Sequence, residues 1–133
     1  MLDLVLERRR GLPILLSVVY EEVARRRGID LHGVGLPGHY VVAHFGADPP
    51  LVYDPFAGGA RLADLEAPPE LLRPWRAQET ALRILNNLTA AYGKHGDLLG
   101  AIQAAELRLL LPMPVELYTQ LEAELRAYRS RLN

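Results

Sequence analysis

His39 and Asp54 are the pair whose residue types and spacing could do chemistry. Residues in a tight antiparallel hairpin lie opposite each other when their numbers share a midpoint, and the midpoint of 39 and 54 falls between Gly46 and Ala47. The run Gly46-Ala47-Asp48-Pro49-Pro50 has the composition of a hairpin loop. His39, entering one strand, is therefore expected roughly opposite Asp54, leaving the next. A histidine–carboxylate hydrogen bond fixes the ring's tautomer and supports its imidazolium form, as a nucleophile–base–orienter system requires. Gly35, Pro37 and Gly38 would let the backbone turn tightly just before His39. A structural histidine bonded near a strand end leaves the same signature, so the pair alone does not establish catalysis.

The matching nucleophile is harder to find. The chain has no Cys, which removes thiol catalysis, thiolate metal sites and disulfides together. Ser17 is the nearby serine hydroxyl, and a Ser17/His39/Asp54 hydrolase or acyltransferase is one reading. The competing one is a helix serine that bonds the carbonyl four residues back. His32, His39, His44 and Asp54 have the types of a metal set, but His39 and His44 should point to opposite faces of a strand. No metal and no cofactor is expected. Gly93-Lys94-His95-Gly96 follows no strand and lacks the spacing of a phosphate loop. Trp75, between Pro74 and Arg76, reads as a packing residue at a joint; exposed, it would mark a contact surface.

The elements that must position these residues fall into two regions. A helix is expected over 12–27, with Pro13 in its first turn and Gly28 as its stop. Leu12, Leu15, Leu16, Val19, Tyr20, Val23 and Ala24 form its apolar stripe, and Ile14 and Val18 make its first half apolar nearly all round. Strands are expected over 31–36, 40–45 and 51–53, then a short helix over 62–65 after Gly58-Gly59. The proline-rich stretch from Ala67 to Trp75 reads as the joint. Helices are expected over 80–92, 98–111 and 115–132, separated by Gly93–Gly96 and Pro112-Met113-Pro114. The fold class is thus α+β, a central helix on a small antiparallel sheet, followed by a helical hairpin and a terminal helix. Residues 1–76 are the expected core. Residues 77–133 resemble one tetratricopeptide hairpin plus a helix, too small to stand alone and expected to pack with the core as one unit.

Three ordered motifs carry a family resemblance. Glu7 through Tyr20, Gly33-Val34-Gly35-Leu36-Pro37-Gly38-His39-Tyr40 and Val52-Tyr53-Asp54-Pro55-Phe56-Ala57-Gly58-Gly59 resemble elements of the bacterial SirB-type transglutaminase-like family. Ile84 through Leu88 and Tyr92 through Asp97 resemble the start of the tetratricopeptide region that follows in such proteins. The resemblance implies a transglutaminase/cysteine-protease-like core in which a Cys begins a buried helix, a His lies on a strand and an Asp on the next. His39 and Asp54 match the latter two roles. The Cys role lands near 12–14, with Pro13 the best count, so the site would keep its setting and lack its reagent. Family members usually carry a helical segment before the first motif; this chain begins almost on it, as a short form or an incomplete one would.

Composition narrows the partners. Half of the 133 residues are hydrophobic and 23% are charged, a globular balance. A net charge of -1 argues against a dedicated nucleic-acid binder, although Arg8-Arg9-Arg10 and Arg25-Arg26-Arg27 are local basic clusters. No apolar run is long enough to span a bilayer, and the start lacks a signal-peptide pattern, so a cytoplasmic location is the default expectation. The functional expectation is a non-catalytic binding or scaffold domain with a protein or peptide partner, with no nucleic acid or membrane and with self-association open. The rivals are the serine enzyme and a tetratricopeptide-type interaction module.

Overall fold

The computed structural model describes residues 2–8 and 11–132. Arg9 and Arg10 of the first arginine cluster lie outside the described residues. The chain divides into two compact units, residues 1–76 and 77–133.

The first unit holds helices α1 (Leu2–Arg8) and α2 (Pro13–Arg26) and strands β1 (His32–Leu36), β2 (His39–His44), β3 (Leu51–Asp54) and β4 (Ala60–Arg61). The strands form one antiparallel sheet in the order β1-β2-β3-β4. Pro37 and Gly38 join β1 to β2, with Gly38 at φ 71, the proline-then-glycine signature of a type II turn. Period-two alternation sorts the sheet into two faces. One carries Val34, Leu36, Val41, Ala43 and Val52, all buried and packed against Leu62, Leu65, Leu71 and Leu72. The other carries Gly33, Tyr40 and Val42, and α2 lies on that side, with the Glu21 carboxylate directly over Gly33.

α2 ends as expected. Ile29 N donates to Ala24 O and Gly28 N to Arg25 O, a Schellman pair made accessible by Gly28 at φ 71. The side that α2 buries differs in part from the expected stripe. Leu15 and Ala24 of that stripe are buried, but Ile14 and Ser17 are buried beside them, whereas Leu12 is 50% and Val23 55% exposed. Ser17 and Glu21 face the sheet because both find main-chain hydrogen bonds there, from or to residues of β1 and β2. Polar side chains that reach backbone partners can occupy a face that a count of apolar residues assigns to solvent.

Three further differences have local causes. α1 was not anticipated; Val5 is buried against Gly11, where a side chain would meet Val5 Cγ2 at 2.9 Å. Residues 62–65 hold only a turn at 63–64 rather than a helix, since Leu62 N donates to Val52 O and so extends the sheet edge. The helical turn in this stretch comes later, a 3-10 turn over Pro69–Leu71.

From that turn the chain passes the β1 edge. Trp75 N donates to Gly33 O at 2.9 Å, and its ring lies edge-on to Tyr40 with centroids 5.5 Å apart. A Cβ at Gly35 would sit 1.8 Å from Trp75 Cζ2, so the ring occupies the space that a side chain there would need. Gly35→Val is expected to displace Trp75 at a cost of about 1–3 kcal/mol. Since Trp75 is the one tryptophan, a red shift of intrinsic fluorescence reads this directly. An unshifted spectrum with unchanged stability would contradict the packing.

The second unit comprises α3 (Ala77–His95), α4 (Leu98–Arg108) and α5 (Val115–Ser130). α3 runs through Gly93 instead of stopping at 92. Gly93 serves close packing, since a Cβ there would lie 3.0 Å from Tyr128 Oη, and the stop is Gly96 at φ 76. Asp97 then caps α4 through Oδ1, which accepts from Gly100 N at 2.9 Å. Ala101, Ala104 and Ala105 are buried, and Ile102, Ala105 and Leu125 form the unit's core with Leu98, Leu109 and Tyr128. No helix among the described residues is long and apolar enough to cross a membrane.

Candidate functional site

His39 opens β2 and Asp54 closes β3. Their Nε2 and Oδ2 atoms are 2.9 Å apart. Because a carboxylate can only accept, Nε2 carries the proton and donates. The register that achieves this is not the expected one. Val42 pairs with Tyr53 and Ala43 with Val52, which centres the hairpin between Ala47 and Asp48. The shift relative to the expected pairing is two residues, so His39 and Asp54 are diagonal rather than directly opposite. A shift of two keeps both on one sheet face, and diagonal neighbours, about 7–8 Å apart along the backbone, are within reach of a long side chain. A shift of one would have sent them to opposite faces.

Asp54 does a second job with its other oxygen. Oδ1 accepts from Phe56 N at 2.8 Å and Ala57 N at 3.2 Å, an Asx-type turn. The chain then turns through Gly58 and Gly59, both at positive φ, with Gly59 N donating to Asp54 O. Burial works to raise the Asp54 pKa, but the hydrogen bonds from His39, Phe56 and Ala57 outweigh it and hold the carboxyl below its ordinary value. Asp54 is buried, while the His39 side chain is 33% exposed. The pair therefore offers an oriented imidazole at the surface, backed by an ionised carboxylate beneath it.

Ser17 is fully buried, and its Oγ lies 3.5 Å from the Tyr40 carbonyl. It is directed at the β2 main chain rather than at the carbonyl one turn back in its own helix. Pro13 is the first residue of α2, and Leu12 before it supplies no side-chain cap. His32 and His44 do not join the pair. His32 Nε2 lies 2.7 Å from Asp30 Oδ1, and His44 Nδ1 lies 2.7 Å from Asp30 O. No group of three or more potential metal ligands occurs among the described residues.

Glu21 is a residue that the sequence reading passed over. Burial raises its pKa, partly offset by the Gly33 amide and by the charge of His32. Its position four residues after Ser17 and seven after Ile14 was the available signal.

Residues 1–83 match the family model described as the transglutaminase-like superfamily. The chain is 40% identical over 108 residues to a UPF0162 protein of Xylella fastidiosa strain Temecula1, a match covering 68% of this chain and 38% of that protein. The UPF0162 protein of strain 9a5c matches with the same identity and coverage. The chain thus corresponds to 38% of the length of these curated relatives. No solved structure matches.

Proposed function

Because the chain belongs to the transglutaminase-like superfamily, we propose that it is a non-catalytic member of SirB type, a binding or scaffold domain that retains a His39/Asp54 pair without its nucleophile. The observation that carries this reading is the coexistence of the 2.9 Å pair with a sequence that has no Cys. Pro13 stands at the head of α2, where the resemblance places the nucleophile. A helix N-terminus is where backbone N–H groups stabilise a thiolate, and proline offers no side chain to ionise. The partner is a protein or peptide. Support for it comes from the second unit, read here as tetratricopeptide-like, where Leu99, Leu107 and Leu110 of the α4 region are exposed.

The test restores the missing group. Pro13→Cys is expected to be alkylated by iodoacetamide at pH 7 about tenfold faster than a free cysteine peptide, by analogy with helix-terminal thiols. A thiol no faster than the peptide would sink the proposal that this is a transglutaminase-like site lacking its nucleophile. The serine-enzyme rival makes a separate demand: a fluorophosphonate would have to label Ser17 in the natural chain and fail in His39→Ala. The burial of Ser17 and its orientation toward the Tyr40 carbonyl weigh against it.

A further inference from the structure

The segment after the 3-10 turn wraps the outer edge of the sheet. Leu71 and Leu72 pack against the face that holds Val34 and Leu36, whereas the Trp75 ring fills the space over Gly35 on the other face. β1 is an edge strand, so residues 72–75 strap its free side, with the bond from Trp75 N to Gly33 O as the clasp.

Gly33 is held at this edge by both of its main-chain groups. Its N–H is bonded to the Glu21 carboxylate of α2, and its C=O takes the strap. In an antiparallel strand the two groups of one residue point to the same side, so Glu21 and the Trp75 amide meet one edge. A Cβ at Gly33 would collide with both Glu21 Oε1 and Tyr40 Oη, which places the hydroxyl beside the carboxylate. Tyr40 is buried and its ring meets Trp75 edge-on. Helix, sheet and strap therefore converge on one carboxyl group.

Partial burial of that carboxyl raises its pKa, and the Gly33 amide and the charge of His32 offset this only in part. The resulting stabilisation is complete below the ordinary glutamate value of 4.5 and is lost as pH rises through the higher folded value. The other charged groups nearby are engaged or distant. On α2, Glu22 is held by Arg25 and Arg26. On the strap, Arg73 donates to Pro74 O, and Arg76 follows Trp75. α1 meets the opposite end of α2, where Val5 lies against Gly11.

We propose that Glu21 and Trp75 form a pH-sensitive latch: the strap is shut over β1 while Glu21 is neutral and loosens when it ionises, uncovering the β1 edge. An ionised carboxylate draws water. The Trp75 end of the strap is what yields to it, because Ile14, Leu15 and Ala24 seat α2 and Leu71 and Leu72 anchor the strap's other end. The latch does not depend on how the His39–Asp54 pair is used.

Two NMR measurements on the full chain test it. Hydrogen exchange of the Trp75 amide reads the clasp, and the side-chain carboxyl carbon of Glu21 reads its charge. Trp75 protection, corrected for the intrinsic pH dependence of exchange, is expected to fall about fivefold from pH 4 to pH 7, at the low end for coupling between two sites. The fall should share its midpoint with the Glu21 titration. Flat protection, or two separate midpoints, would overturn the latch, and this comparison needs no variant. Glu21→Gln keeps an acceptor for the Gly33 amide and cannot ionise, so it should hold Trp75 at the low-pH level of protection throughout. A pH dependence that survives in Glu21→Gln would pass the effect to His32 or another group and overturn the proposal as well.

Discussion

Asp54→Ala is expected to lower stability by about 2–4 kcal/mol, because one carboxylate holds both the His39 ring and the turn that follows β3. The substitution leaves the Phe56 amide without its acceptor, and the Ala57 amide keeps only its 3.2 Å bond to the main-chain carbonyl of residue 54. Asp54→Asn keeps an acceptor oxygen for the turn but presents an amide N–H where His39 needs an acceptor. It should therefore cost less than the alanine variant while still breaking the histidine contact. Comparing the two separates the turn from the pair.

The depressed Asp54 pKa fixes the pH dependence. The unfolded chain takes up this proton at a higher pH than the folded one, so ionised Asp54 contributes its full stabilisation above the ordinary carboxylate range. That contribution is lost as pH falls below the ordinary aspartate value of 3.8 and through the lower folded value. Urea unfolding from pH 5 downward should show the natural chain losing its advantage over Asp54→Asn in the acid range. A gap that stays constant down to pH 2, or an alanine variant within about 0.5 kcal/mol of the natural chain at pH 7, would contradict this account.

Arg108→Ala is expected to cost about 3 kcal/mol in the second unit. The guanidinium is buried, donating from Nη1 to Asn86 Oδ1 on α3 and from Nη2 to Glu124 Oε2 on α5, each at 3.0 Å. It thereby links all three helices from its place on α4. Truncation removes two charge-assisted hydrogen bonds and leaves a void among the helices. Glu124 is 44% exposed and can return to water, which keeps the loss below that of a fully buried broken pair.

Arg108→Met separates packing from charge. Methionine refills much of the volume and removes Nε, a buried donor without a partner. Replacing a buried ion by an apolar residue of similar size is often close to neutral. The alanine variant should therefore melt about 10 °C lower by circular dichroism, with methionine much nearer the natural chain. Equal losses would assign the effect to the hydrogen bonds alone, and a negligible loss in alanine would remove Arg108 as a link between the helices.

Much of the architecture was legible along the chain. The helix over 12–27 and the last three helices appear with ends shifted by a few residues, since apolar periodicity and glycine stops are local signals. The α+β class followed from that helix and the strand-like runs after it. The glycine-flanked His39 and the Asp-Pro-Phe run were equally readable, because a tight turn and an Asx turn are written in adjacent residues.

The remainder depended on contacts between distant residues. Local composition could not choose between two hairpin registers, and the observed one was set where Val42 met Tyr53. Parity is what allowed His39 and Asp54 to meet despite the altered register. The buried residues of α2 keep Leu15 and Ala24 of the expected apolar stripe and add Ser17, whose hydroxyl reaches the β2 main chain, which a count of apolar side chains does not announce. β4 and the turn at 63–64 were decided by pairing with β3, which a two-residue strand cannot announce alone. Local chemistry along the chain set which elements could form and which chemical groups were present or missing. Tertiary packing alone decided which faces those elements showed each other, because burial and hydrogen-bond satisfaction belong to pairs of segments and not to either one.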